Sequence, residues 1–352
     1  MAYSTIPKGN LYMNPVIYTG TGSTRSVTGV GFQPDWVWIK NRVKADSNHI
    51  LTDTVRGATK YLLSDADSSE TTNINTLTSF DSDGFSLGDF DNVNRNNDPL
   101  VSWNWKAGTS VSGTTTGSGT GQSYTGSVNT TAGFSIIRYP GNNTAGHEIP
   151  HNLGVVPSII FVKKLTDTDS WIVYTAPTGR TNAAHLNTND LFGASSTYWN
   201  DVSPTSSVFT VGGNQTNEGS KDYIAYSFSP IQGYSRIGQY TGNGSSDGTL
   251  VYTGFKPAYV MYKGRSVAES WKIYDNTRQP NNVVNLALDA NSSGVEDSGG
   301  GSNDIDFLSN GFKQRGSDSR ANGTNQTYIY MAFAENPFVA TSGTNAVPVT
   351  AR

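Results

Sequence analysis

Gly31-Phe32-Gln33-Pro34-Asp35-Trp36-Val37-Trp38-Ile39-Lys40, Gly154-Val155-Val156-Pro157-Ser158-Ile159-Ile160-Phe161-Val162-Lys163 and Gly254-Phe255-Lys256-Pro257-Ala258-Tyr259-Val260-Met261-Tyr262-Lys263 are one phrase written three times. A glycine is followed three residues later by proline, then by an apolar run closed by lysine. Proline suits the first residue of a strand, where its missing N–H costs little. The run behind it is apolar at odd and even positions alike, as in a strand covered on both faces.

The phrase belongs to a longer repeat. Tyr18-Thr19-Gly20, Tyr139-Pro140-Gly141 and Tyr240-Thr241-Gly242 open the copies, 22 to 24 residues before the closing lysines. After the lysines, His49-Ile50-Leu51-Thr52-Asp53 matches Trp171-Ile172-Val173-Tyr174 and Trp271-Lys272-Ile273-Tyr274-Asp275. Arg56, Arg180 and Arg278 follow, then short apolar stretches around Leu62, Leu186 and Leu286. Each copy ends on an aromatic strand: Val101 to Trp105, Tyr223 to Phe228, and Tyr328 to Phe333. Period-two alternation there places one face on a core. Asp83-Gly84, Asp247-Gly248 and Asn310-Gly311 supply turn chemistry.

Composition agrees with many short strands. The chain has 352 residues, 38 of them glycine, and 11% aromatic residues. Ser, Thr, Asn and Asp serve turns, while β-branched and aromatic residues serve strands. The expectation is an all-β protein of three tandem antiparallel units, each a β-sandwich or jelly roll. The boundaries read as an N-terminal arm over 1–16, units over 17–107, 133–231 and 232–338, a Gly/Ser/Thr-rich linker over 108–132, and a C-terminal tail over 339–352. The linker reads as flexible, whereas Ser229 to Ser235 leaves the second and third units little slack.

Several function classes are disfavoured. Without cysteine there is no disulfide, thiol nucleophile or cysteine metal site. A net charge of −4 with no basic stripe argues against nucleic acid. No apolar run approaches the roughly 20 residues of a membrane-spanning helix, and the first residues show no secretory pattern. His147-Glu148-Ile149-Pro150-His151 matches a zinc-protease motif that works only on a helix, and Pro150 opposes one. Gly84-Phe85-Ser86-Leu87-Gly88 matches a nucleophile elbow, but no βαβ pattern surrounds it. Asp81, Asp83, Asp65 and Asp67 offer oxygen ligands without the full set of a calcium loop, so Asx-turns are the expectation. Glutamates lie at different places in each copy, against a paired-carboxylate glycosidase.

No catalytic, cofactor or metal residue is therefore expected. Trp103, Trp171 and Trp271 recur on apolar strands and read as core. Trp199, with Tyr198 in the loop Thr197-Tyr198-Trp199-Asn200-Asp201, reads as the best candidate for an exposed ligand contact. The recurrent arginines read as structural partners of Asp53 and Asp275.

The wording of the repeat carries a resemblance over nearly the whole chain. Tyr18 to Ser23, Gly29 to Lys40, Thr78 to Gly88, Trp103 to Lys106, Thr131 to Ile136, Trp199 to Asp201 and Gly238 to Lys263 together resemble a repeat domain common in marine bacteriophages. That resemblance implies a non-enzymatic virion protein, assembled in the host cytoplasm. It would be a tail-associated fibre touching the host surface, or else a head decoration or head fibre. Implied partners are other virion proteins and copies of itself, as in a trimer, together with a host surface glycan. A carbohydrate-binding lectin module and, after it, a polysaccharide depolymerase are the other readings.

Overall fold

The structure, a computed structural model, describes residues 4–297 and 304–337. The tail expected over 339–352 lies outside the described residues. One five-strand order occurs three times, always antiparallel. In the first unit the order is Met13–Thr19, Pro99–Trp105, Trp36–Asn41, Ile50–Asp53 and Lys60–Leu63. In the second it is Phe134–Pro140, Asp222–Phe228, Ile159–Lys164, Ile172–Thr175 and Asn182–His185. In the third it is Ser235–Thr241, Thr327–Pro337, Phe255–Gly264, Lys272–Asp275 and Leu288–Asp289. A three-stranded sheet backs each: Arg25–Thr28 with Gly84–Leu87 and Leu77–Asp81, Thr116–Gly117 with His147–Pro150 and Val208–Val211, and Leu250–Tyr252 with Gly311–Gln314 and Ile305–Leu308. Pro257 sits where the ladder of its strand slips register, the one interior place a sheet tolerates proline.

The repeated phrase is apolar on both faces for two different reasons. Odd and even positions of a strand point to opposite sides. Val37 and Ile39, Ile160 and Val162, and Val260 and Tyr262 fill the sandwich core of their own unit. Trp36 and Trp38, Ile159 and Phe161, and Tyr259 and Met261 instead enter one core shared by all three units. The main sheets thus surround a common axis.

Ladder register identifies the residues on that axis. Trp105 lies opposite Trp36, Phe228 opposite Ile159 and Phe333 opposite Tyr259, so Trp105, Phe228 and Phe333 hold equivalent positions. Their rings touch pairwise, edge to face, at centroid distances of 6.3, 5.8 and 5.7 Å. Edge-to-face pairs set a positive ring edge against a negative face. Three equivalent rings in mutual contact mark a pseudo-threefold axis within one chain. The aromatic residues therefore do not serve separate interiors alone; a large share of them joins the units.

Two expectations about connecting segments fail. Residues 108–132 are not a flexible linker. Thr109–Thr114 and Ser123–Asn129 pair as a hairpin and extend the second main sheet, while Thr116–Gly117 extends its backing sheet. Few apolar side chains are required there, because main-chain bonds carry the pairing and only Tyr124 and Val128 are buried in the second core. Buried Asp35 anchors the base. Its carboxylate accepts from Thr54 Oγ1 at 2.9 Å, Ala107 N at 2.9 Å and Ser127 Oγ at 3.1 Å. Nor do residues 4–16 of the expected arm over 1–16 stand free. Ile6 and Met13 are fully buried in the shared core, and Tyr12 packs edge to face on Tyr234 of the third unit.

Replacing Asp35 by Ala leaves Ala107 N–H and the Ser127 hydroxyl without an acceptor, a loss of about 2 kcal/mol or more. Hydrogen exchange over residues 109–129 is expected to quicken markedly in Asp35→Ala while the ladders of the first and third units keep their protection. Unchanged exchange in the hairpin would contradict this anchoring role.

Candidate functional site

The motifs that invited chemistry are hydrogen-bonded into the scaffold. His147 lies on a strand, its ring fully buried between Asn217 Oδ1 at 2.9 Å and Thr115 Oγ1 at 2.5 Å. The His151 ring meets Thr205 O at 3.1 Å. Burial pushes both imidazoles down in pKa, so they are neutral at pH 7. Ser86 lies on a strand and donates to Asp81 Oδ2 at 2.7 Å. Asp83 accepts from Gly29 N and Gly31 N, tying the hairpin tip to the neighbouring loop. Asp65 accepts from Asn48 Nδ2 and His49 N, and Asp67 O from Asp169 N. Among the described residues no cluster of three or more His, Asp or Glu is placed to hold a metal.

Trp199 is not an exposed contact. It is 1% exposed and packs against Tyr174 and Phe209 in the second core. Its loop, which has no counterpart in the repeat wording of the other copies, closes over the second sandwich. The neighbours in sequence take the surface role. Asn200 and Asp201, both at positive φ, line a cleft of about 440 Å³ with Ser196, Thr197 and Asn214. Tyr198 is half-buried beside His185. Among the described residues the exposed aromatic lies elsewhere: Tyr252 is 51% exposed in a groove of about 440 Å³ with Gln232 and Arg236, whose guanidinium stands 6.0 Å from its ring.

The most organised polar chemistry lies in the seams between units. Register makes His49, Trp171 and Trp271 equivalent, and likewise Leu63, His185 and Asp289. Trp171 Nε1 donates to Leu63 O of the first unit at 2.7 Å, and Trp271 Nε1 to His185 O of the second at 2.9 Å. The His49 ring closes the circle onto Asp289 O of the third at 3.1 Å. Trp38 Nε1 donates to His49 Nδ1, which leaves the proton on Nε2 for that bond. One geometry thus runs head to tail around three seams and closes.

The lysines ending the repeated phrase lie in the same seams. Lys40 Nζ donates to Asn41 O and to Ser293 O of the third unit, and Lys263 Nζ to Glu269 O and to Asn189 O of the second. Lys163 Nζ donates to Lys164 O, with the charge of Asp67 from the first unit nearby. All three are fully buried, and that burial pushes each pKa down to about 8.

Two buried ion pairs distinguish the seams. Arg56 Nε meets Asp53 Oδ2 at 2.5 Å, and Arg278 Nε meets Asp275 Oδ2 at 2.5 Å, in matching arrangements. Each aspartate also accepts from a neighbouring unit: Tyr226 OH to Asp53 at 2.6 Å, and Trp103 Nε1 to Asp275 at 2.9 Å. In the second unit Thr175 and Thr178 stand at the aspartate and arginine positions, their hydroxyls 2.9 Å apart. Arg180, expected to match the other two arginines, lies two residues beyond. The third unit correspondingly has Met331 where the others have Trp103 and Tyr226. A donor is present where the neighbour has a carboxylate and absent where it does not. Sequence inspection paired Arg56 and Arg278 with Asp53 and Asp275 but missed the donors, which lie 173 and 172 residues away; the signal available was that Trp103, Tyr226 and Met331 share one repeat position.

Comparison with known proteins adds one finding. The family model described as Domain of unknown function (DUF7483) matches residues 8–337. The match takes in all three units as one stretch. No curated protein gives a significant match.

The seam lysines set a pH dependence. Their pKa is near 8 when folded and about 10.5 when unfolded, so between those values the unfolded chain holds more protons and stability rises with pH. Tyr226, Tyr234, Tyr240, Tyr259 and Tyr262 act oppositely above pH 10, because burial holds their phenols protonated. The melting temperature is expected to climb from pH 7.5 to about 9.5 and fall beyond about 10.5. In Lys263→Met the climb is shallower. A melting temperature that falls steadily from pH 7.5 to 9.5 would contradict the assignment.

Proposed function

The chain belongs to the family of the domain of unknown function DUF7483, whose match spans the three units together, and we propose that it serves as a non-enzymatic structural protein of a bacteriophage particle. The observation that carries this reading is the use of its polar chemistry: the buried histidines, carboxylates and lysines bond to the scaffold or across seams. What remains outside is a rigid body bearing Ser-, Thr- and Asn-rich loops. The phage assignment itself draws on the resemblance of the repeat wording. Within it, a tail-associated fibre in contact with the host surface is the first reading, and a head decoration the second. The pseudo-threefold body bears on both, since one chain offers a threefold-like block without recruiting two more copies.

Glycan binding is a second reading, favoured by Tyr252 and Arg236. An exposed ring beside a cation suits stacking on a sugar with a hydrogen bond to its substituents. In this reading the protein meets the host through repeated weak contacts that gain strength from multiplicity.

The test is immunogold labelling of purified phage particles with antibody against this chain, together with mass spectrometry of the same particles. Label at a fixed place on the particle is expected, and its position separates tail from head. Absence from purified particles, with the protein abundant in the lysate, would overturn the proposal. A glycan array comparing the chain with Tyr252→Ala tests the second reading: signal lost in the variant supports it, and no signal from either protein refutes it.

A further inference from the structure

The ends of the main sheets are protected unequally. A sheet edge presents unpaired N–H and C=O groups, and proteins blunt it with short strands, charges or proline. At one end the sheets close on two-residue strands: Thr71–Thr72, Gly193–Ala194 and Leu288–Asp289. At the other end, Met13–Thr19 carries Pro15, and the Arg25 side chain donates to Thr19 O. Ser235–Thr241 carries Arg236, and the Thr249 hydroxyl occupies Thr241 O at 2.8 Å. Thr109–Thr114, the outer strand of the eight-stranded sheet, has none of these devices. It is six residues long, reads Thr-Ser-Val-Ser-Gly-Thr, and is exposed at every position except half-buried Val111.

We propose that Thr109–Thr114 is an assembly edge, and that its partner is the same strand of a second copy, paired antiparallel across a twofold axis. Charge chooses this partner. In such a pair the residues at the twofold axis face or neighbour their own counterparts, so a charge near the middle of the strand would meet its like. A strand without charge is free of that penalty, whereas an edge meant for a charged partner would carry the opposite sign. The chain also displays what the site accepts, since Ser123–Asn129 pairs with the other edge of this strand in full antiparallel register from Thr109 to Thr114. Twofold pairing is the commonest closed arrangement of identical chains. It would join two eight-stranded sheets into one, through main-chain bonds as in other strand additions. The contact is small beside the interfaces of permanent dimers, so the dimer forms reversibly. The proposal does not depend on the phage reading.

Sedimentation velocity of the intact chain from about 1 to 100 µM tests it. A monomer–dimer equilibrium is expected, with the dimer fraction rising with concentration. Ser112→Lys with Thr114→Lys, both on exposed positions, is expected to weaken association at least tenfold with the melting temperature little changed. Thr120→Lys with Ser246→Lys, exposed positions off the edge, controls for net charge and should dimerise like the parent. A sedimentation coefficient of one monomer throughout the range would overturn the proposal. So would a dimer unaffected by the first lysine pair, or equally weakened by the second.

Discussion

Contact among Trp105, Phe228 and Phe333 is the constraint on which the rest of the structure depends. Each ring comes from the last strand of a different unit, and each packs on the other two. A main sheet here is apolar on both faces, and its backing sheet covers one of them. The second face, with Trp36, Trp38, Tyr259 and Met261 among its residues, is hidden only when all three units are present. Burying a large apolar side chain contributes roughly 1.5–3 kcal/mol, so a unit standing alone would forgo that contribution at many positions. The same demand explains why residues 4–13 turn inward. The interior is not free of cost, since the indole N–H groups of Trp36 and Trp105 have no acceptor among the described residues.

Three units in one chain need not be identical, and the seams use that freedom. The carbonyl-seeking bond from His49, Trp171 or Trp271 is common to all three. The buried arginine–aspartate pair occurs twice, each time with a donor from the neighbouring unit, and is replaced by Thr175 and Thr178 where the neighbour offers Met331. Removing one partner of such a pair strands a buried charge at about 3–5 kcal/mol, so these positions are tied together across the chain. Covalent linkage also fixes the stoichiometry and lets the outer surfaces diverge, with the added hairpin and the Trp199-anchored loop on the second unit alone. The family match from residue 8 to residue 337 fits this dependence, because the stretch it recognises is the whole ring.

Much of this was legible in the sequence, and each failure has a physical cause. The repeated phrase, the closing lysine and the aromatic last strand gave the fold, because strand periodicity and turn residues are local signals. That same periodicity reports that both faces of a strand are covered without reporting by what, so Trp36 and Val37 look alike although one faces the axis and the other its own sandwich. Residues 108–132 read as linker because composition measures apolar content, whereas an added edge strand is held by its main chain and by one distant carboxylate, Asp35. Trp199 misled for the opposite reason: a tryptophan without a repeat counterpart looks like surface, but its ring packs on Tyr174 and Phe209 inside the second sandwich.

The central claim is that the three units form one folding body around the aromatic axis, and differential scanning calorimetry of the intact chain tests it most directly. The account predicts a single transition whose calorimetric and van't Hoff enthalpies agree, as for one cooperative unit. Two or three separable transitions, each with the enthalpy expected of about 100 residues, would contradict it.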